Sequence, residues 1–110
     1  MTDCILIVDL DRLSDSEFLP TLKARVGAIL DQGATGIIFN GRQVEMVDST
    51  IIGYLFWVQQ DLKKREAGGE AVVTAPSRFL RHAITMVGME TTMRIFDSDE
   101  EALAYLRAGD

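Results

Sequence analysis

Val47-Asp48-Ser49-Thr50-Ile51-Ile52-Gly53 opens the longest amphipathic segment of the chain and sets a short hydroxyl cluster, headed by an acid, at that segment's start. From Asp48 to Glu66 there is no proline and one glycine, and Ile52, Leu55, Phe56 and Leu62 approximate the spacing of one helical face. Asp48 is the expected N-cap, its carboxylate accepting from the free amides of the first turn. Ser49 then takes the first helical position with its hydroxyl near solvent, open to capping, binding or phosphorylation.

Outward from this segment the chain alternates. On the N-terminal side, Gly36 to Asn40 is a buried strand and Gly41 to Met46 connects it to the Asp48 turn. Before it, Leu19, Leu22, Val26, Ile29 and Leu30 mark a helix that starts between Glu17 and Pro20, since proline is tolerated in a first turn. Gly33 suits the left-handed position beyond its end. Cys4 to Val8, between Asp3 and Asp9, has the composition of a strand buried on both faces. On the C-terminal side, the long helix stops at Ala67-Gly68-Gly69, and Lys63, Lys64 and Arg65 gather near its carbonyl end, where its dipole favours cations. Ala71 to Ala75 is a third strand, and Pro76-Ser77 starts a helix expected to turn Phe79, Leu80, Ala83, Ile84 and Val87 inward before Gly88. Met93 to Phe96 is a fourth strand, and Ser98-Asp99-Glu100-Glu101 has the capping-box pattern of a last helix carrying Leu103 and Leu106. This alternation predicts an α/β sandwich with a mostly parallel sheet of four to five strands, right-handed crossovers and about four helices.

A chain of 110 residues, nearly half of them apolar, is expected to form one domain over residues 1–110 with a single core. Its net charge of -6 argues against nucleic acid and anionic lipid as partners. The one cysteine, Cys4, lies in an apolar run and cannot form an internal disulfide, which fits the reducing cytosol. No apolar run reaches the roughly 18 residues of a membrane span, so a cytoplasmic protein without membrane insertion is expected.

Motifs of catalysis are sought without result. His82 is the only histidine and has no cysteine to share a metal site with. The glycine runs at Gly33 to Gly36 and Gly68-Gly69 follow helices, whereas phosphate cradles follow strands. Asp9, Asp11, Asp15, Asp48, Asp97, Asp99 and Glu100 fall in loops or first turns, where capping explains them. Neither an enzyme nor a cofactor or metal is expected. Gly53 stands out, because glycine inside a helix costs about 1 kcal/mol relative to alanine; close approach of another backbone would compensate. Ser49, Gly53, Trp57 and Gln60 share one stripe, and Tyr54, Trp57 and Val58 exceed what one core face absorbs. An apolar patch beside a serine suggests protein docking.

In this element order, Asp48-Ser49-Thr50-Ile51-Ile52-Gly53 resembles the Asp-Ser-(Ser/Thr)-Gly-Leu-Gly hallmark of STAS domains, most closely the free-standing anti-sigma-factor antagonists. Ala67-Gly68-Gly69-Glu70 and the segment Phe79 to Phe96 are similar to the family's turn before a strand and to its third helix and last strand. The resemblance covers nearly the whole chain. It implies a STAS-like sandwich and a partner switch: an anti-sigma factor that is also a serine kinase binds the unmodified protein and phosphorylates the residue matching Ser49, and a PP2C-type phosphatase reverses the modification. The partner-binding residues are then Asp48, Ser49, Thr50, Gly53, Tyr54 and Trp57. Ile51 departs from the hallmark's first glycine. The chain also begins at what resembles the family's second strand, leaving a sheet edge that, with Trp57, offers a route to a homodimer. A non-catalytic STAS scaffold, in a signalling complex or a lipid transporter, is the alternative role.

Overall fold

The structure, a computed structural model, describes residues 5–10, 18–33, 35–42, 44, 49–64, 69–88 and 91–108. Eight elements alternate along it: β1 (Ile5–Asp9), α1 (Phe18–Asp31), β2 (Gly36–Asn40), α2 (Ser49–Lys64), β3 (Glu70–Thr74), α3 (Arg78–Met86), β4 (Ile95–Phe96) and α4 (Asp99–Ala108). The strands form one sheet in the order β1-β2-β3-β4, every pair parallel. Because each strand pairs with its successor, all three crossovers step in one direction, and their right-handedness sends α1, α2 and α3 to the same face. The buried side chains agree. Leu22, Val26 and Leu30 of α1, Ile52, Leu55, Val58 and Leu62 of α2, and Leu80 and Ile84 of α3 share one core with Ile37, Phe39, Ala71 and Val73. On the opposite face α4 brings Ala102 against Ile38 and Val72. The expected α/β sandwich is thus present, with four parallel strands and four helices among the described residues.

Helix ends follow the local chemistry. Gly33 and Gly88 both take positive φ, at 90° and 72°, the left-handed turn that a residue without Cβ enters at little cost. Ser77 Oγ accepts from the Leu80 amide at 3.2 Å to cap α3. Ser98 Oγ accepts from the Glu101 amide, also at 3.2 Å, as the capping-box pattern predicts. Tyr105 of α4 donates to Glu70 Oε1 at 2.7 Å, tying that helix to the start of β3.

Two expectations are corrected. β1 is not buried on both faces: Leu6 and Val8 face the main core, but Ile7 is 41% exposed. β1 is an outer strand; on the face that Ile7 occupies, Ile5 packs with the cluster under α4, while Ile7, further along the strand, stays largely uncovered among the described residues. In α3, Leu80 and Ile84 are buried and Ala83 packs against the core, but Phe79 and Val87 are exposed. A helix of nine residues turns one narrow stripe inward; Phe79 lies a full residue step off it beneath the Arg78 guanidinium, and Val87 sits at the C-cap.

Candidate functional site

The chain leaves β2 at Asn40 and re-enters described structure at Ser49, so α2 starts beyond the carboxyl end of the sheet. Ser49 and Thr50 are the first two residues of α2, as predicted. Asp48, the expected cap, lies outside the described residues, as do the side chains of Ser49 and Thr50. Along the outward face of α2, Gly53 is exposed, Trp57 is 54% exposed and Gln60 is partly so. No atom lies within 4 Å of where a Gly53 Cβ would sit. The close backbone approach expected to compensate for this glycine is therefore absent among the described residues.

The inward face of α2 corrects the predicted phase. Phe56, expected on the buried stripe, is 42% exposed, and the core side is made by Ile52, Leu55, Val58, Gln59 and Leu62. Tyr54 and Val58, expected outside the core, are buried; Tyr54 closes the margin of the core, its ring nearly parallel to that of Trp57 at 5.9 Å. The phase was hidden because its central position is a glutamine. Gln59 is fully buried, which a carboxamide tolerates only when its donors and acceptor are paired.

Gln59 meets that condition by entering the sheet. Its Oε1 accepts from the Ala71 amide at 2.7 Å and its Nε2 donates to the Thr92 carbonyl at 2.9 Å. Further along the same strand, Val73 N–H reaches Arg94 O at 3.0 Å and Ala75 N–H reaches Phe96 O at 2.8 Å. The carboxamide thus stands in the ladder between residues 71 and 92 as a surrogate peptide group. It also explains why β4 begins at Ile95 rather than at the predicted Met93. Through this splice, α2 is fixed against β3 in rotation and height, and the outward direction of Gly53, Phe56 and Trp57 is fixed with it.

The start of the loop that leads to α2 is anchored at its other end. Asn40 and Thr74, the last residues of β2 and β3, are both buried. Asn40 Nδ2 donates to Asp99 at 3.1 and 3.2 Å, and Thr74 Oγ1 donates to Asp99 Oδ1 at 2.5 Å. Asn40 Oδ1 in turn accepts from the Arg42 amide at 3.0 Å, closing the turn out of the strand. Gly41 allows a close approach next to it: its amide donates to Thr74 O and its carbonyl accepts from Ser77 N–H at 2.9 Å. A Cβ at Gly41 would lie 2.3 Å from Leu80 Cδ2. Sequence pattern assigned Asp99 only to capping, and nothing in the one-dimensional spacing joins it to Asn40 across 59 positions.

On the flank of α2 that faces α1, the Lys23 ammonium lies 5.7 Å from the centroid of the Tyr54 ring. Burial pushes the Tyr54 phenol up to about 12. His82 is exposed on α3. No cluster of three or more His, Cys, Asp or Glu side chains suited to a metal ion occurs among the described residues. No helix among them is long and apolar enough to cross a membrane.

Comparison with curated proteins gives no match. Two solved structures share the architecture. The anti-sigma factor antagonist SpoIIAA in its unphosphorylated form superposes with a TM-score of 0.74 at 22% identity, over 94% of this chain and 85% of that one. A Thermotoga maritima protein described as a candidate anti-sigma factor antagonist superposes with a TM-score of 0.76 at 18% identity, over 97% of this chain and 91% of that one. At such identities the likeness establishes the fold. The model of one family, the STAS domain, matches residues 2–102, and since that span takes in all four strands among the described residues, the α2 start and the first turn of α4, this chain belongs to the STAS domain family.

Proposed function

We propose that this chain is an anti-sigma-factor antagonist, a regulatory binding module without catalysis of its own. It docks on an anti-sigma factor that is also a serine kinase, through the start and outward face of α2, and phosphorylation of Ser49 ends the docking. A PP2C-type phosphatase restores the unmodified state. The observation that supports this most is the juxtaposition on α2. Ser49 and Thr50 of the hallmark sit at the helix start, and Gly53, Phe56 and Trp57 follow on faces turned to solvent. A large aromatic beside an open glycine is a surface that a partner backbone can approach closely, and exposed apolar groups of this kind mark docking sites.

The physics of the switch suits this position. Phosphate adds nearly two negative charges and bulk, and a helix N-terminus stabilises such charge within the chain while the docked partner meets it as a repulsion. Binding is lost without unfolding. Asp48, Thr50 and Tyr54 complete the proposed contact set, Tyr54 by supporting the Trp57 ring rather than by its own exposure. Two exposed aromatics on α2, together with Ile51 in place of the hallmark glycine, favour a second reading. In it the same face assembles a scaffold or a lipid-transporter complex with no phosphorylation cycle.

The experiment is incubation with ATP and the candidate kinase from the same organism, followed by mapping of the modified residue. Labelling at Ser49 that Ser49→Ala abolishes supports the switch. Labelling that survives Ser49→Ala unchanged overturns the assignment, and a stable complex indifferent to ATP favours the scaffold.

A further inference from the structure

Between α1 and α2 lies a groove of about 370 Å³ lined, among the described residues, by Lys23, Gly27, Tyr54 and Trp57. Lys23 and Gly27 are one helical turn apart on α1, as Tyr54 and Trp57 are on α2, so each helix presents one side to the space. The volume falls in the lower part of the range of small-molecule sites. Trp57 stacks on Tyr54, the two ring planes inclined by 15°, and Trp57 is 54% exposed. Gly27 is a helix-interior glycine whose added Cβ would meet nothing within 4 Å. Internal packing therefore does not require glycine there, although it costs about 1 kcal/mol relative to alanine. What the missing side chain does is leave the groove open.

The charge of the site selects its ligand. Lys23 places a cation at the wall, which favours an anionic group beside it over a cationic one. The ammonium at the Tyr54 ring pairs with a single carboxylate as a partly exposed ion pair. A phosphate, with more charge and more acceptors, calls for more donors than the lining offers among the described residues. We propose that the α1–α2 groove is a binding site for a small aromatic carboxylate, its flat body laid against Trp57 over Gly27 and its carboxylate paired with Lys23. The site stands on its own lining residues and does not depend on the partner switch.

The test is a 15N NMR titration of the intact chain with 2-naphthoate, with the uncharged 2-naphthamide beside it. Saturable shifts centred on the amides of Lys23, Gly27 and Tyr54 and on the Trp57 indole are expected. The carboxylate should bind about two- to fivefold tighter than the amide, the yield of one exposed ion pair, and Lys23→Gln should erase that preference. Gly27→Leu, which fills the groove, should weaken 2-naphthoate by at least about tenfold while the domain still melts cooperatively. The proposal is overturned if no saturation is seen, if the shifts centre elsewhere, or if folded Gly27→Leu binds as the wild type does. Equal binding of carboxylate and amide to the wild type overturns the carboxylate assignment. Should Gly27→Leu fail to fold, Lys23→Gln decides, and retention of the carboxylate preference in it refutes the site.

Discussion

Replacing Gln59 by leucine removes the carboxamide that splices α2 into the sheet while nearly keeping the side chain's volume. Two hydrogen bonds are lost, at 2.7 and 2.9 Å, each worth about 1 kcal/mol net, and the Ala71 amide is left buried and unpaired at a further cost of about 1–3 kcal/mol. The more apolar side chain returns part of this, so we expect a net loss of about 2–4 kcal/mol. For a domain of this size the melting temperature should fall by about 8–20 °C. Urea unfolding measures the free energy, and hydrogen exchange at the Ala71 amide reports the bond itself, which should change from protected to fast. Gln59→Glu sharpens the test. Burial disfavours the ionised carboxylate, so the folded pKa rises above the unfolded value of about 4.3. Stability is then fullest below that unfolded value, where a neutral carboxyl both donates to Thr92 and accepts from Ala71, and it is lost as pH rises toward the folded pKa. A Gln59→Leu protein within about 0.5 kcal/mol of wild type, with Ala71 still protected, would refute the splice, since unmade buried hydrogen bonds cannot be that cheap.

Trp57→Ala should cost binding far more than folding: at least about 2 kcal/mol, or thirtyfold, in partner affinity, against under about 1 kcal/mol of stability, measured by calorimetric titration and thermal melting of the same samples. Gly41→Ala should lose about 1–3 kcal/mol by overpacking, because Leu80 Cδ2 stands 2.3 Å from the new Cβ and Leu80 is fully buried; a neutral urea midpoint would contradict this close approach. Asp48→Ala should weaken both stability, by about 0.5–2 kcal/mol as a lost N-cap, and docking, whereas Ser49→Asp should spare the melt and weaken docking only. An unfolded Ser49→Asp protein would contradict the proposed separation of charge from fold.

Much of the fold was legible because strand and helix patterns here are locally consistent. Gly36 to Asn40 is read to the residue, and the Ser98 capping box and the left-handed Gly33 sit where their chemistry places them. Errors arose where tertiary contacts overrode local pattern. The spacing predicts Phe56 as core because the true core position is Gln59, and a polar residue that completes a ladder looks from sequence like a surface residue. β1 has the composition of a central strand yet lies at the sheet's outer side, which only the pairing order reveals. At the candidate site, the α2 start and the exposure of Trp57 were legible from helical phase. The Asn40–Thr74–Asp99 anchor and the meeting of Lys23 with Tyr54 were not, because each joins residues far apart in the chain whose side chains serve equally well as caps, surface charges or core.

The central claim is that phosphate at Ser49 switches docking off while leaving the fold intact. The most direct measurement is calorimetric titration of the cognate anti-sigma factor with two preparations of the full chain, one unmodified and one carrying phosphoserine at position 49. The unmodified protein should bind, and the phosphorylated protein should bind at least about a hundredfold more weakly, the effect of unfavourable charge in an interface, with both melting at nearly the same temperature. Equal affinity of the two forms, or loss of binding that tracks loss of folding, would contradict the account.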